Sequence, residues 1–202
     1  MWHYILMAAA AVLGIGFAYS HRQDLGLTGS SGSRADSTTW QKVDRSADGF
    51  RVEMPSNQSE IQIPAYNESG GADQVNMVFA NPDAETTYSI AWEDNPPVAR
   101  YNKQVADSTL EMARDGAVAR TQTTLVSEVA NKTQGFPGRE FTAKNSGGGL
   151  MNSRLIYAGT RLYMLTASFP SEGARRDKDV SRFFNSFVMT KSASSGTGNS
   201  GS

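Results

Sequence analysis

Apolar residues alternate with polar ones through most of the first half of the chain, and the spacing then lengthens twice. Phe50, Val52 and Met54 interleave with Arg51 and Glu53 and stop at Pro55, which predicts a half-buried strand. Ile61 and Ile63 repeat the pattern up to Pro64. Val75, Met77 and Phe79 do so up to Asn81-Pro82, and Tyr88, Ile90 and Trp92 up to Asn95-Pro96-Pro97. A polar, glycine-containing loop occupies 67–72. The first half therefore reads as an antiparallel meander of short strands. Over residues 100–119 the period becomes helical: Tyr101, Val105, Thr109 and Met112 line one stripe with Ala106, Leu110 and Ala113 beside it. Asp107 and Glu111 lie opposite, and Gly116 marks the expected end.

The second half reads as strands followed by one amphipathic helix. Residues 125–129 form a strand that leads into Gly135-Phe136-Pro137-Gly138. That stretch fits a type II turn, with proline setting the first central φ and glycine the positive φ after it. Residues 139–144 are extended, Gly147-Gly148-Gly149 makes another turn, and 150–157 and 161–169 are two strands pivoting at Gly159. Val180, Phe183, Phe184 and Phe187 share one helical face, which must lie on a sheet, and the strands just before it are the nearest sheet available. No internal repeat is visible. Segregated helices with a mostly antiparallel sheet predict an α+β fold, an α/β/α sandwich spanning residues 40–189.

Both ends differ from this core. Residues 4–19 are apolar all round and alanine-rich, and as a helix would reach about 24 Å against a hydrocarbon core of about 30 Å. Tyr4 and Tyr19 could sit in the interfaces with Trp2 as a further anchor, which predicts a membrane tether. A cleaved signal peptide is the rival reading, because Gly16-Phe17-Ala18 and Ala18-Tyr19-Ser20 offer small residues at the cleavage positions, although no Lys or Arg precedes the run. A buried core helix fits poorly with an all-round apolar run that feeds a linker. Arg22 favours a cytoplasmic carboxyl side, but export is the commoner fate of this architecture, so an extracytoplasmic domain at the cell membrane is expected. Residues 20–39 are a Gly/Ser-rich linker and 190–202 a tail of similar composition.

Composition narrows the chemistry. The net charge of −1 provides no field to gather nucleic acid. Cysteine is absent, which removes disulfides, thiol catalysis, thiolate zinc sites and an acylated cysteine. The two histidines, His3 and His21, both precede the folded domain, so an imidazole base or histidine metal site has no residue to use there. No cofactor is expected.

The order of several short motifs resembles a known pattern. Trp40 precedes Gly49-Phe50-Arg51-Val52-Glu53-Met54-Pro55, and a tyrosine-centred strand at Tyr88 and Ile90 leads into the long helix. Then come Gly135-Phe136-Pro137-Gly138-Arg139-Glu140, Arg161-Leu162-Tyr163-Met164-Leu165 and Arg182-Phe183-Phe184-Asn185-Ser186-Phe187. Over residues 40–189 this resembles the PsbP-like superfamily, in particular its uncharacterised bacterial membrane- or lipid-anchored members. The resemblance implies an antiparallel sheet with helices on both faces and a non-catalytic binding or assembly role. The missing histidines leave no place for metal roles proposed in photosynthetic members. The missing lipoprotein cysteine leaves anchoring to residues 4–19. No functional residue carries across.

Three groups of residues could still carry function. Arg139 and Glu140 could sit on a rim loop after the Gly135 turn and face a ligand. Arg154, Tyr157, Arg161 and Tyr163, on neighbouring strands, would form a protein-recognition patch if their outward faces coincided, and otherwise pack across strands under the helices. Glu93-Asp94, Glu140 and Glu172 could supply an acid and base for glycoside hydrolysis, which needs two carboxyls about 5–9 Å apart. Gly147-Gly148-Gly149 could cradle phosphate but lacks the lysine and following helix of such loops. The expected function is a non-catalytic, membrane-tethered binding or assembly domain with a protein partner. The alternatives are a carboxylate-dependent hydrolase and a carrier of a small apolar molecule between sheet and helix.

Overall fold

The computed structural model describes residues 38–66, 72–94, 102–159 and 161–190. The expected anchor at 4–19, most of the linker, the loop at 67–71, the turn at Asn95-Pro96-Pro97, Tyr101 and the tail from 191 lie outside the described residues. No helix among the described residues is long and apolar enough to cross a membrane.

Among the described residues, ten strands and two α-helices follow in the order β1 (Trp40–Arg45), β2 (Phe50–Pro55), β3 (Ser59–Tyr66), β4 (Ala72–Ala80), β5 (Thr87–Asp94), α1 (Lys103–Arg120), β6 (Thr123–Thr133), β7 (Phe136–Asn145), β8 (Leu150–Tyr157), β9 (Arg161–Phe169), α2 (Asp177–Ser186) and β10 (Val188–Met189). The main sheet has the order β3-β4-β5-β9-β8-β7-β6, and each neighbouring pair is antiparallel. A small second sheet has the order β1-β2-β10. The fold is α+β, with a helix on each face of a central antiparallel sheet.

Each face of the main sheet buries its own core because side chains alternate along every strand. On one face Ala106, Leu110, Ala113 and Ala117 of α1 meet Phe141, Met151, Leu155, Leu162 and Met164. The three alanines let the helix approach closely. Asn102 caps its start by accepting a hydrogen bond from the Val105 amide at 2.8 Å. On the other face Val180, Phe183, Phe184 and Phe187 join Phe50, Val52 and Met54 of β2 against Tyr88, Ile90, Trp92, Leu165 and Phe169. Phe50 stands edge-on to Trp92 at 5.1 Å and stacks on Phe187 at 5.8 Å, and Phe183 stands edge-on to Tyr88 at 5.5 Å. The closing phenylalanines are thus the hub of this core, though Phe187 lies just beyond the helix end.

Several details differ from the sequence reading. β2 leaves the meander for the small sheet, where β1 and β10 flank it. Gly116 lies inside α1, which continues to Arg120. The turn before β7 is three residues earlier than Pro137-Gly138. Gln134 and Gly135 both have positive φ (50° and 87°) and join Thr133 to Phe136 as a two-residue hairpin turn, so Pro137 and Gly138 belong to the strand. Gly147 to Gly149 is a hairpin loop in which two amides are already used: Gly149 donates to the Asn145 side-chain oxygen at 2.8 Å and Gly148 to the Asn145 carbonyl at 3.1 Å.

Candidate functional site

Strands β6, β7 and β8 form one end of the main sheet, and two rows of facing residues cross them. One row is Val129, Glu140 and Arg154, and the other is Ser127, Thr142 and Asn152. Directly opposed residues share a face of the sheet, so these six side chains form one platform. The α2 helix borders the platform without covering it. Val180, Ser181, Phe184 and Asn185 face it along the side, with Arg175 and Asp177 at the helix start. Between strands and helix lies an open groove of about 470 Å³, within the range of ligand sites.

Arg154 fixes the wall of this groove. Its Nε donates to Glu140 Oε1 at 2.9 Å, its Nη1 to the Phe184 carbonyl at 2.7 Å, and its Nη2 to Asn185 Oδ1 at 3.3 Å. The guanidinium also lies over the Phe184 ring at 5.0 Å. One side chain therefore ties β8 to both β7 and the last turn of α2. Glu140 Oε1 accepts a further bond from Asn131 Nδ2 at 2.7 Å.

The groove is electrically balanced and rich in hydrogen-bonding groups. Arg154 pairs with Glu140 at 2.7 Å and Arg175 with Asp177 at 2.5 Å. Asn152, at 5% exposure, donates through Nδ2 to Thr142 Oγ1 at 2.8 Å, yet its Oδ1 has no partner among the described residues. The bond to Thr142 fixes the Asn152 amide beneath the groove. Val129 brings apolar surface to the rim at 60% exposure.

The residues singled out from sequence are dispersed, because odd separations along a strand point to opposite faces. Glu140 and Arg154 come together in the groove. Arg139 instead faces α1, with Glu128 at 3.0 Å and Glu111 at 3.8 Å. Neither Arg139 nor Glu140 lies on a rim loop, since both are within β7. Tyr157 is fully buried in the α1-side core. Arg161 grips both oxygens of Asp94 at 2.5 and 2.8 Å and also donates to the Asp48 carbonyl. Tyr163 is buried on the α2 side and donates to the Asp48 carbonyl at 3.2 Å. Burial pushes the Tyr163 phenol above its ordinary range, and the bonds to Asp94 raise Arg161. These two residues join the main sheet to the turn before β2, so the four Arg and Tyr residues form no single outward patch.

The carboxylates are also separated. Glu93 is buried and sits opposite Leu162 of the α1-side core, whereas Glu140 lies on the other face. Asp94 is held by Arg161, and Glu172 pairs with Lys144 at 3.4 Å. The acid and base pair expected for a hydrolase is therefore not assembled from these residues. No group of three or more metal-ligating side chains occurs among the described residues. Sequence reasoning missed Ser127, Val129, Thr142 and Asn152, which strand pairing brings together, and Ser181 and Asn185, which the docking of α2 adds. The one local signal was a valine in the polar stretch after Leu125.

No protein-family model matches the chain, and no curated protein matches it. Solved structures do. The solution structure of cyanobacterial PsbP (CyanoP) from Synechocystis sp. PCC 6803 aligns with 81% of this chain and 99% of its own, with a TM-score of 0.50 and 14% identity. A protein of unknown function, PA94 from Pseudomonas aeruginosa, aligns with 61% of this chain and 78% of its own, with a TM-score of 0.33 and 13% identity. The fold is PsbP-like.

Proposed function

We propose that this chain is a non-catalytic binding or assembly module that engages a protein partner through the groove beside α2. The observation that carries the reading is the open groove of about 470 Å³ itself, lined by hydrogen-bonding side chains and by ionic groups that are already paired. Paired arginines and carboxylates are poorly placed to shuttle protons. They hold a surface in shape instead. The PsbP-like fold is consistent with that role. In this reading residues 4–19 tether the domain to the cell membrane, facing the extracytoplasmic side, and the Gly/Ser-rich linker gives it reach.

Co-purification tests this. The full chain, extracted from membranes in mild detergent, should retain a discrete partner. Val129→Lys places a charge on the exposed rim and should reduce recovery at least tenfold. Arg120→Glu, on the α1 side, should leave recovery within twofold. Equal recovery with both variants would remove the groove from the interaction.

A further inference from the structure

We propose that two copies of this chain pair edge to edge through β6, antiparallel about a twofold axis at Ala130, so that their main sheets become continuous. The paired edge and the groove share Val129, so the pairing is tested at Lys132, which lies on the α1 face away from the groove. β6 ends the main sheet and, among the described strands, pairs only with β7. An edge strand presents unpaired backbone N–H and C=O groups, which proteins usually blunt. The opposite edge is blunted, since Pro64 removes a backbone donor from β3. β6 has eleven residues and no proline, and it exposes Leu125, Val126 and Val129 at 38, 59 and 60%. An irregularity between Leu125 and Ser127 disturbs its start, leaving residues 127–133 as a regular pairing stretch.

Geometry and charge then select the register. A twofold axis perpendicular to a continuous sheet requires opposed residues to share a face, so the axis must pass at a residue and not between two. Glu128, Ala130 and Lys132 share the α1 face. Centring on Ala130 sets Lys132 of each copy opposite Glu128 of the other. Glu128 belongs to a cluster with Arg114 at 2.6 Å and Arg139 at 3.0 Å, which in turn pair with Asp115 at 2.7 Å and Glu111 at 3.8 Å. Two guanidinium groups face three carboxylates, so the cluster is negative overall. Lys132 has no ion-pair partner among the described residues, and opposite charges across a strand pair attract. Centring on Val129 or Asn131 instead sets Glu128 or Lys132 against Ala130 and forfeits that match. On the other face, Val129 lies opposite Asn131 and diagonal to the second copy's Val129, covering the most exposed large apolar side chain described. Such a self-complementary patch is what a twofold interface needs.

The absence of native cysteine makes the register testable in the full chain. At Ala130→Cys the paired Cα atoms would lie about 4.5–5.5 Å apart, within disulfide reach of about 4.4–6.8 Å. At Val129→Cys they would be diagonal, about 7–8 Å apart, and at Thr124→Cys farther still. Mild oxidation in detergent should give at least tenfold more linked dimer for Ala130→Cys than for either control. Adding Lys132→Glu should cut that yield at least fivefold. In the cysteine-free chain, sedimentation should find a dimer for the native sequence and a monomer for Lys132→Glu. Equal linking at all three positions, no linking at Ala130→Cys, or a dimer unaffected by Lys132→Glu would overturn the proposal.

Discussion

Gly138 distinguishes a strand glycine from a turn glycine, and its replacement has a cost that can be worked from neighbouring atoms. A Cβ at this position would lie 2.3 Å from Asn131 Oδ1 and 2.4 Å from the Leu155 carbonyl oxygen. Ordinary contact begins near 3.4 Å, so each neighbour must retreat by about 1 Å. Leu155 O belongs to the backbone of β8, flanked by β7 and β9, and cannot move alone. Asn131 can rotate, but its 2.7 Å bond to Glu140 is then lost. Overpacking of about 1–3 kcal/mol and a hydrogen bond of about 1 kcal/mol give roughly 2–4 kcal/mol for Gly138→Ala. Gly135 is the opposite case. Nothing lies within 4 Å of its hypothetical Cβ, but its φ is +87°, so Gly135→Ala should cost about 1–2 kcal/mol. Urea denaturation of the full chain, followed by tryptophan fluorescence, measures both. A loss under about 1 kcal/mol for Gly138→Ala, or a larger loss for Gly135→Ala, would refute this placement of the turn.

Three further expectations follow from packing and charge. Phe184→Ala should cost about 3–5 kcal/mol, since the ring is 5% exposed and lies under Arg154; a loss under 1 kcal/mol in urea would remove it from the core. Burial raises the phenol of Tyr88 well above its ordinary value and that of Tyr163 in the same direction. Stability should therefore be flat below about pH 10 and fall above it, as phenols ionise in the unfolded chain but stay protonated in the folded one. Tyr88 Oη has no hydrogen-bond partner among the described residues, so Tyr88→Phe should cost under about 0.5 kcal/mol and flatten the alkaline slope; an unchanged slope would contradict this. Asp94→Ala should cost only about 0.5–1 kcal/mol because Asp94 is 68% exposed. Arg161→Met should cost more, since it also removes one of the two donors to the Asp48 carbonyl and leaves Tyr163 alone there; equal losses in denaturation would show the arginine contact to the small sheet to be idle.

The elements that alternate cleanly were legible from sequence. Phe50, Val52 and Met54 mark a strand buried on one face, and Val180, Phe183 and Phe184 mark a helix with one apolar side, so their burial follows directly from spacing. β1 was not legible because Gln41, Lys42 and Asp44 are largely exposed and only Trp40 and Val43 pack against the core. The Gly135-Phe136-Pro137-Gly138 run misdirected the turn because Gln134 at positive φ has no compositional signal. The groove was legible only in fragments. Glu140 and Arg154 are 14 residues apart in sequence and adjacent in space through the β7–β8 register, and no spacing rule announces that register. Val129, Thr142 and Asn152 read as ordinary strand residues until their rows align.

Site-specific photo-crosslinking at Ser181 tests the recognition role most directly. Ser181 borders the groove and is exposed on α2. A photoreactive residue there, in the full chain inside cells, should give one discrete adduct with a protein partner that disappears when Val129→Lys is added. The same residue at Arg120, exposed at the end of α1, should give none. Adducts of equal yield from both positions, or an adduct at Ser181 indifferent to Val129→Lys, would contradict a recognition role for this groove.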